Sequence, residues 1–576
     1  MKIRPIPIVA TVVAIAGAFA FAPHLRSAEP SHAVTLDQGW DHATRVEFYH
    51  KSQGAVLMPS AFLRALRMPD GKPFLDPARM HSYGFLPGEP AGNPYPLGIA
   101  DDDGSKTDGV PMAGFTCAAC HTGELTYRGT SVRIDGGSAN LNLPAFQSAV
   151  RQALMRTATT PELRKPFLRR AIALGYPAAK AAAGLDAEVA RDRFVLKAVA
   201  GLRGTQTPAG PGIVDALTGI AFNAMTLGLY QSDNARRALA PTNYPPLWDI
   251  WHFDWVQYNA SVHQPMDRNV GEDIGLGARL NIVDPVTGKL NPESTRWKST
   301  IRIRNLYWLE NAIIKLKPPT WPAAFGPVNE AQAAQGRALF VQNCARCHGV
   351  SKIAGTTPQE WYMHVLPLKV IGTDPNQAIG FAKTTYNATK LGMSATLGGP
   401  EGLAYVVRHE KVQAYEDAHV PKSEWPKYDG FGRSSPVVAP CGYKARPLVG
   451  IWATPPFLHN GSVPSVFALL SDTRPAHPIL GNPEFDPVNL GYVQASAPGT
   501  VTMNTALAGN SNAGHWFTND KARKGRIGPK LTDAQKYDII AYLKTATYAT
   551  YPTKTVTSAR PLPCGNDRNW AKDLAY

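Results

Sequence analysis

Two stretches of the sequence place two cysteines and a histidine at the same spacing. They are Cys117-Ala118-Ala119-Cys120-His121 and Cys344-Ala345-Arg346-Cys347-His348. In a helical turn, positions i and i+3 share a face, so both thiols can form thioethers with one porphyrin while the adjacent histidine reaches its iron. Each C-x-x-C-H stretch is therefore predicted to attach one haem c covalently, with His121 and His348 as the proximal iron ligands.

A zinc knuckle or a redox dithiol is the alternative interpretation of these cysteines. A zinc site would need further Cys or His residues at ligand spacing, and a thioredoxin-like dithiol has no need of the following histidine. The chain has only six cysteines and 15 histidines among 576 residues, so two chance copies of the pattern are not expected. Haem attachment accounts for the whole pattern.

The two other cysteines, Cys441 and Cys564, each lie between a proline and a glycine, which indicates loops. We expect a structural disulfide between them. Two unpaired buried thiols are the alternative, because the sequence cannot show that two residues so far apart in the chain lie within bonding distance.

The composition is that of a folded, mainly soluble protein. The hydrophobic share is 44%, the charged share is 18% and the mean hydropathy is -0.20, which excludes a disordered chain and a polytopic membrane protein. A length of 576 residues predicts about two to four domains. The net charge of +15 is spread along the chain, so it favours acidic partners and does not indicate nucleic-acid binding.

The N-terminus has the pattern of a secretory signal peptide over residues 1–20. Lys2 and Arg4 precede an apolar run, and cleavage after Ala20 satisfies the A-x-A rule. An uncleaved anchor is the alternative, although Pro7 interrupts its apolar stretch, which is short for a bilayer. We expect a periplasmic or secreted protein with no stable membrane span after cleavage, in a compartment where disulfides form.

Two helices are predicted around the second C-x-x-C-H stretch. A capping pattern that starts at Asn329 opens a helix leading into Cys344. Thr532 and Gln535 form a capping box for a helix near the end of the chain. A helix, the attachment stretch, long loops and a terminal helix are typical of small cytochrome c domains, so we place the C-terminal haem domain at residues 321–576.

The first attachment stretch has a different setting. Residues 126–134 predict a short hairpin, and the pattern from Phe146 to about residue 200 predicts helices. We place the N-terminal haem domain, which includes this helical insertion, at residues 21–320. The predicted fold class is mainly α with long loops, and it contains two cytochrome c-like haem domains with a few short strands.

The sixth coordination position of each iron separates electron transfer from catalysis. No histidine lies between His121 and His252, so an open or water-bound first haem is predicted. After the second stretch the chain offers several candidate ligands. They are His364, His409, His419, His459, His477, His515 and Met503.

Three segments resemble the bacterial dihaem cytochrome c peroxidase superfamily. They are residues 114–123 (GFTCAACHTG), 448–464 (LVGIWATPPFLHNGSVP) and 509–515 (GNSNAGH). The resemblance covers most of residues 36–550. It is nearest to the branch that contains the secreted dihaem rubber oxygenases, and more distant from the methylamine-utilisation dihaem enzyme.

This resemblance implies an N-terminal haem that reacts with peroxide or oxygen and a C-terminal haem that carries electrons. It implies His515 as the second axial ligand of the electron-transfer haem, with Met503 as the next candidate. His459 matches a loop residue that ordinarily belongs to the haem environment. A calcium ion between the domains is implied by the resemblance alone, because the sequence shows no EF-hand or similar loop that would locate it.

Glu272 resembles the distal glutamate of the same superfamily. Splitting the O–O bond needs a base that takes a proton from the near oxygen and returns it to the leaving one, and a carboxylate can do both. Trp255 or Tyr258 is implied as an electron stepping-stone between the haems. The match departs from the family in two ways. The interval between the aromatic string that begins at Trp255 and the glutamate is shorter here, and Tyr258 occupies the position of the family's tryptophan.

Three functions follow from these observations. The first is a peroxidase that receives electrons at the His348 haem from a small cytochrome c or cupredoxin and reduces hydrogen peroxide at the His121 haem. The second is an oxygenase that cleaves an apolar substrate such as rubber with dioxygen, which predicts a dry pocket not lined by Glu272. The third is a non-catalytic electron carrier, which requires His252 or His263 to bind the first iron.

Overall fold

Helices are the longest elements of the computed structural model, which describes residues 33–90, 92–107, 109–393 and 396–557. The α-helices are α1 His42–His50, α2 Ser60–Ala65, α3 Pro77–Ser82, α4 Leu143–Thr159, α5 Pro161–Ala173, α6 Ala181–Ala200, α7 Ala216–Ala221, α8 Pro265–Leu276, α9 Ile303–Lys315, α10 Glu330–Asn343, α11 Ala345–His348, α12 Leu368–Ile371, α13 Asn376–Lys383, α14 Gly399–Asp417, α15 Trp425–Asp429, α16 Val466–Leu469 and α17 Asp533–Thr545. Short 3-10 turns occur at Cys117–Ala119, Ser232–Asn234, Ile250–His252, Ala323–Phe325, Thr389–Leu391, Lys422–Glu424 and Ile451–Ala453, and a π-helical turn occurs at Phe222–Leu227.

Side-chain caps begin the helices that frame the second attachment stretch. Asn329 caps α10, and Thr532 and Gln535 form a complete capping box on α17. Since α10 ends one residue before Cys344, the predicted helix leading into the attachment stretch is confirmed, and so is the terminal helix. The helical pattern predicted up to about residue 200 is confirmed as α4, α5 and α6.

Helices α10 and α17 pack directly against each other. A methyl group on Gly336 of α10 would lie 1.7 Å from the carbonyl oxygen of Asp538 in α17, so glycine is required for this close approach of the two backbones. The rings of Phe340 and Tyr542 pack beside it with centroids 5.1 Å apart. The helix leading into Cys344 is thereby held against a helix almost 200 residues later in the chain.

Strands are short, and within the described residues they are more numerous than the few predicted. They are β1 Val34–Thr35, β2 Met58–Pro59, β3 Ile99–Thr107, β4 Val110–Phe115, β5 Thr122–Tyr127, β6 Thr130–Asp135, β7 Ile213–Val214, β8 Thr242–Asn243, β9 Val350–Ile353, β10 His364–Pro367, β11 Thr385–Tyr386, β12 Leu397–Gly398, β13 Gly442–Ala445, β14 Ile479–Leu480, β15 Phe485–Asp486, β16 Gly491–Tyr492, β17 Val501–Thr502, β18 Trp516–Phe517, β19 Arg526–Gly528 and β20 Thr553–Val556. The predicted hairpin is confirmed as the antiparallel pair β5 and β6, with Thr126 opposite Ser131.

Three small sheets position the attachment stretches. The first stretch lies between β4, the central strand of the sheet β2-β4-β3, and β5 of the sheet β1-β6-β5. The second stretch is followed directly by β9, which pairs in parallel with β20 and places Val350 opposite Thr553. β13 pairs in antiparallel fashion with β10 and leads into Arg446.

The largest hydrophobic cluster contains side chains from both halves of the chain, among them Trp40, Phe253, Phe340 and Tyr542. A second cluster joins α2 to the helices α4, α5 and α6. Because the larger cluster extends across the predicted domain boundary at 320/321, packing does not mark a division there. The boundary and the assignment of one haem domain to each side stay predictions.

The predicted disulfide and the predicted signal peptide lie wholly or partly outside the described residues. Cys441 is disulfide-bonded, and Cys564, its predicted partner, lies outside the described residues, as does the predicted signal peptide 1–20. Within the described ranges, no helix has both the length and the apolar content needed to cross a membrane.

We predict that Gly336→Ala destabilises the protein by about 1–3 kcal/mol, because the added methyl group would force α10 away from α17. Urea unfolding followed by circular dichroism measures the free energy of unfolding. Gly380→Ala is the matched control, since Gly380 is also helical and nothing lies within 4 Å of a methyl group there. Equal unfolding free energies for the two variants would contradict the close contact.

Candidate haem sites

The first attachment stretch forms a tight turn that carries two thiol groups. Cys117–Ala119 is a 3-10 turn, and neither Cys117 nor Cys120 is in a disulfide. The Sγ atom of Cys117 donates to Oε1 of Gln53 at 3.1 Å, and burial raises the pKa of Cys120 to about 12. Burial also raises the pKa of the Cys117 thiol.

His121 is kept neutral by its surroundings. Burial lowers its pKa to about 4, so the imidazole carries no charge at neutral pH and keeps a lone pair on one ring nitrogen. A neutral imidazole is the form that ligates iron. Its ring contacts that of Tyr244, with centroids 6.5 Å apart.

Cys117 and His121 line a cavity, called here the first cavity, whose wall is partly apolar and partly polar. The apolar residues are Pro245, Pro246, Leu247, Ile250, Phe253, Val256, Leu306, Leu309 and Ile313. The polar residues are Gln257, Arg268, Asn269, Glu272, Lys444 and Arg446. Glu272 therefore lies in the same cavity as His121, where the sequence resemblance expects it.

Hydrogen bonds fix the polar side of the first cavity. Nε2 of Gln257 donates to Oε1 of Glu272 at 2.9 Å. Arg268, one helical turn before Glu272 in α8, forms an ion pair with Glu310 of α9, and Nδ2 of Asn269 donates to the same Glu310 carboxylate at 2.8 Å. Burial raises the pKa of Glu272, with Arg268 acting in the opposite direction. A carboxyl group and a guanidinium thus share one wall.

The histidines required by the electron-carrier hypothesis do not line the first cavity. His252 stacks between Trp251 and Trp361, with ring centroids 3.5 and 4.1 Å away. The ring of His263 packs against Trp255 at 5.1 Å. Trp255 lines neither the first cavity nor the second one described below, so the structure does not bring it together with Glu272.

The second attachment stretch forms one turn of helix, α11, with Cys344 at its N-terminal cap. Cys344 and Cys347 are both free of disulfides. Nδ1 of His348 lies 2.8 Å from the carbonyl oxygen of Arg446. Because a carbonyl only accepts, Nδ1 carries the proton, which leaves the lone pair on Nε2 for a metal. Burial lowers the pKa of His348 and keeps the imidazole neutral.

His348 and His515 lie opposite each other in a second cavity, which Cys344 and Cys347 also line. Their ring centroids are 6.2 Å apart. Two iron–nitrogen bonds of about 2 Å each, plus about 1 Å from each nitrogen to its ring centre, give roughly the same separation. Burial lowers the pKa of His515 to about 3. The two imidazoles are spaced to ligate one iron from opposite sides.

Two of the other candidate ligands, Met503 and His459, have different surroundings. Met503 packs in a separate small cluster with Ile213 and Leu480 and does not line the second cavity. His459 does line it, but its ring stacks on Tyr443 with centroids 4.0 Å apart. Of His459 and His515, only His515 is in ring contact with His348.

Buried side chains hold the loop that carries His515. The Asp374 carboxylate accepts from the backbone amides of Gly509 and Ser511 at 2.9 and 3.2 Å. Nδ2 of Asn460 donates to the carbonyl oxygens of the same two residues, both at 2.9 Å. Asp374 and Asn460 are 3% and 0% exposed, so water does not compete for these bonds.

The backbone of His515 is itself constrained. Its φ is 52°, a left-handed conformation that costs a non-glycine residue about 1–3 kcal/mol. The guanidinium of Arg474 donates to the carbonyl oxygens of Gly514 and His515 at 2.9 and 3.1 Å and lies 3.8 Å from the ring centroid of Trp516. The surrounding contacts therefore offset the strain and fix the imidazole in place.

Three of the described residues, Pro246, Lys444 and Arg446, line both cavities. The Arg446 guanidinium donates to the carbonyl oxygens of Pro246 and Trp248 at 2.9 and 3.0 Å. Sequence reasoning missed these residues, because Lys444 in β13 and Arg446 directly after it belong to no motif. The only local signal was their position just before the string 448–464.

Two tyrosines lie near this shared wall. Tyr258 lines the second cavity, and its hydroxyl donates to Oδ1 of Asn243. Tyr244 also lines the second cavity while its ring contacts His121 of the first. Tyr244 was not predicted from the sequence, since a tyrosine before two prolines indicates only a loop.

The donor sets fit c-type haem at both places. Each offers two free thiols and a neutral imidazole from one turn of chain, and the second adds an opposed imidazole. A structural zinc site would instead gather four ligands around one point. In the described part of the chain no group of three or more His, Cys, Asp or Glu side chains is arranged to hold a metal ion, so the calcium ion implied by resemblance receives no location.

We predict that Asp374→Ala loosens the His515 loop, because it removes the acceptor for the amides of Gly509 and Ser511. Hydrogen exchange followed by mass spectrometry should show faster exchange in peptides covering 505–517. Asp520→Ala is the matched control, since the exposed Asp520 carboxylate accepts from Ala522 of its own turn. Unchanged exchange at residues 509–511 in the Asp374 variant would rule out this anchoring.

Comparison with known proteins bears on the same region. Residues 442–477 match the family model described as RoxA-like, cytochrome c-like, which implies covalently bound haem c and supports the resemblance to the dihaem rubber oxygenases. The uncharacterized protein y4iJ of Sinorhizobium fredii (strain NBRC 101917 / NGR234) is 35% identical over 566 residues, 88% of this chain and 92% of that protein. The uncharacterized protein y4iM of the same strain is 29% identical over 323 residues, 53% of this chain and 64% of that protein. The chain belongs to the family of y4iJ and contains a RoxA-like cytochrome c segment.

Proposed function

We propose that the protein is a dihaem c-type oxidoreductase of the periplasm or the extracellular space. It reduces hydrogen peroxide at the His121 site with electrons received at the His348 site. The observation that carries the proposal is the presence of Glu272 and Arg268 in the lining of the first cavity. Peroxide reduction needs a group that moves a proton between two oxygens and a charge that stabilises the leaving oxygen, and these side chains supply both.

The protein side chains have separate tasks in this reaction. A haem at His121 would supply an iron centre that binds peroxide and accepts electrons. The Glu272 carboxylate takes a proton from the near oxygen and returns it to the leaving oxygen, while Gln257 holds the carboxylate in one orientation. Arg268 stabilises negative charge on the leaving oxygen. One peroxide, two electrons and two protons give two molecules of water.

The second site suits electron entry. His348 and His515 would together hold a haem at this site, and with both histidines bound this group would supply electron transfer without a position for a substrate. Exposed Val370 and Arg346 line the second cavity at the surface. With a net charge of +15, the donor proposed is a small cytochrome c or cupredoxin with an acidic face.

Electrons would then cross the wall between the cavities. Tyr258 keeps its proposed role as a stepping-stone because it lines the second cavity. Tyr244 joins it, since it lines that cavity and contacts His121. Trp255 is less well placed, because it lines neither cavity and packs against His263.

An oxygenase that cleaves an apolar substrate such as rubber with dioxygen is the second candidate. The RoxA-like match and the apolar part of the first cavity, including Phe253 and Leu309, favour it. The polar side chains of Glu272 and Arg268 in the same lining count against a dry pocket. A non-catalytic carrier has less support, because His121 is the one histidine among the described residues that line the first cavity.

The ferric, haem-loaded protein should give one high-spin and one low-spin EPR signal, because one iron has a single histidine and the other has two. His515→Gly should convert the low-spin signal to high spin. Glycine is chosen because it adopts the φ of 52° without strain. Met503→Leu is the control and should keep the low-spin signal. Two low-spin signals in the unmodified protein, or a persistent low-spin signal in His515→Gly, would refute this ligand assignment.

Glu272→Gln should lower kcat/KM for peroxide reduction by about 10²–10⁴-fold, the usual contribution of a general acid–base group. A base must be deprotonated to act, so in the unmodified enzyme kcat/KM should rise with pH through the pKa of Glu272. Burial raises that pKa, so the limb should lie above the ordinary glutamate range. Stopped-flow kinetics between pH 4 and 8 would measure it.

The exposed Glu293 provides the control variant, Glu293→Gln, which should keep both the rate and the pH profile. The acid limb should vanish in Glu272→Gln alone. Peroxide turnover with the same rate and the same acid limb in Glu272→Gln would remove this residue from the mechanism. Oxygen-dependent cleavage of an apolar polymer without peroxide turnover would favour the second candidate.

A further inference from the structure

Lys444 has no part in haem attachment or in the proposed acid–base chemistry, yet it lines both cavities. Its Nζ atom lies 5.3 Å from the ring centroid of Tyr258 and 5.9 Å from that of Phe253. Within the described part of the chain, Nζ forms no hydrogen bond and no ion pair with another residue. The Lys444 side chain is half-buried, and its ammonium group faces the rings of Tyr258 and Phe253.

The charges closest to Lys444 have the same sign as its own. Burial, followed by Arg446 and Arg268, lowers the pKa of Lys444 to about 7. Arg268 is already paired with Glu310, and Asp249 offsets part of the charge of Arg446. Glu272 lines the first cavity together with Lys444, but no ion pair joins Lys444 to a carboxylate within the described residues. Three positively charged side chains, Lys444, Arg446 and Arg268, therefore act on one another near the wall between the cavities.

A lysine ammonium in a medium of low polarity is unfavourable by several kcal/mol unless an anion pairs with it or it loses its proton. An anion that keeps Lys444 charged would reach the wall between the cavities from inside them, since Lys444 lines both. It must also be tolerated beside apolar and aromatic side chains such as Phe253. Haem c meets both conditions, because its porphyrin is apolar and one edge bears two propionate carboxylates.

We propose that Lys444 is the shared counter-ion of the two haems, pairing its ammonium with a propionate carboxylate from each. Because Lys444 lines both cavities, its ammonium group can pair with a propionate of each haem, whereas a cation that lines one cavity could pair with one haem only. The proposal rests on the two haem sites of the proposed function and is independent of the reaction at the first site. Peroxide activity therefore plays no part in its test.

Lys444 would act as a positioning and tuning residue. A positive charge between the two irons disfavours their ferric states, so it raises both reduction potentials. The same ion pairs would fix the propionate edges of both porphyrins against β13. Removing the charge should therefore lower both potentials and alter the hydrogen bonding of the propionates.

The test compares the haem-loaded protein with Lys444→Met by spectroelectrochemical titration and by the propionate-bending bands of the resonance Raman spectrum. Both haem potentials should fall and the propionate bands should shift. Lys390→Met is the matched control: Nζ of Lys390 bonds to the carbonyl oxygens of Leu229 and Tyr230, and Lys390 lines neither cavity. Its two potentials and Raman bands should stay as in the unmodified protein.

Lys444→Gln provides a second variant if the methionine variant does not fold, because its amide can still bond to a carboxylate while carrying no charge. Lys444→Arg, which keeps the charge, should restore both potentials toward those of the unmodified protein. Unchanged potentials in a folded, two-haem Lys444 variant would overturn the proposal. A change in one haem potential alone would overturn the shared role.

Discussion

The carbonyl oxygen of Arg446 accepts the Nδ1 proton of His348, and the segment that provides this oxygen connects both haem sites. Two residues earlier, Lys444 lines both cavities. Tyr443, the residue before it, stacks on His459 and donates its hydroxyl to the carbonyl oxygen of Asp374 at 2.7 Å. One short strand and the residue after it therefore orient a ligand, separate the cavities and support the loop of the opposite ligand. This is also where the RoxA-like match begins.

The polar and apolar parts of the first cavity come from different elements. Glu272 and Arg268 are one turn apart on α8, so they share a face of that helix. Leu306, Leu309 and Ile313 on α9 form much of the apolar wall. Glu310, also on α9, holds Arg268 in place. The packing of α8 against α9 thus sets the balance of polar and apolar side chains in the first cavity. This balance distinguishes the peroxidase candidate from the oxygenase candidate.

Sequence reasoning predicted what is local. The capping box of Thr532 and Gln535 and the two C-x-x-C-H stretches are complete within a few residues, so they could be identified without the fold. Lys444 and Asp374 could not, because their roles arise from contacts between distant segments; Asp374 bonds to an amide 135 residues away. The role of Trp255 stays a prediction; it lines neither cavity, and a sequence resemblance does not indicate which way a loop turns. The many two-residue strands were missed for the same reason, because their pairing depends on tertiary packing.

Asn460 joins two separate strings of the sequence, residues 448–464 and 509–515, into one structure. It belongs to the H-N-G-S string, and its amide bonds to the loop that ends at His515. The two strings were read separately in the sequence, but they form one hydrogen-bonded structure. Its strained residue, His515, is therefore held by groups from three parts of the chain.

The packing of α10 against α17 means that the second site is completed only after the end of the described chain has been synthesised. The second attachment stretch is enclosed by the last described segments: α17 lies on α10, β20 pairs with β9, and the hydroxyl of Tyr551 donates to the carbonyl oxygen of His348 at 2.9 Å. During synthesis, both C-x-x-C-H stretches leave the ribosome well before this enclosure exists. A chain cut short before residue 531 would keep all four attachment cysteines and still lack one wall of its second site.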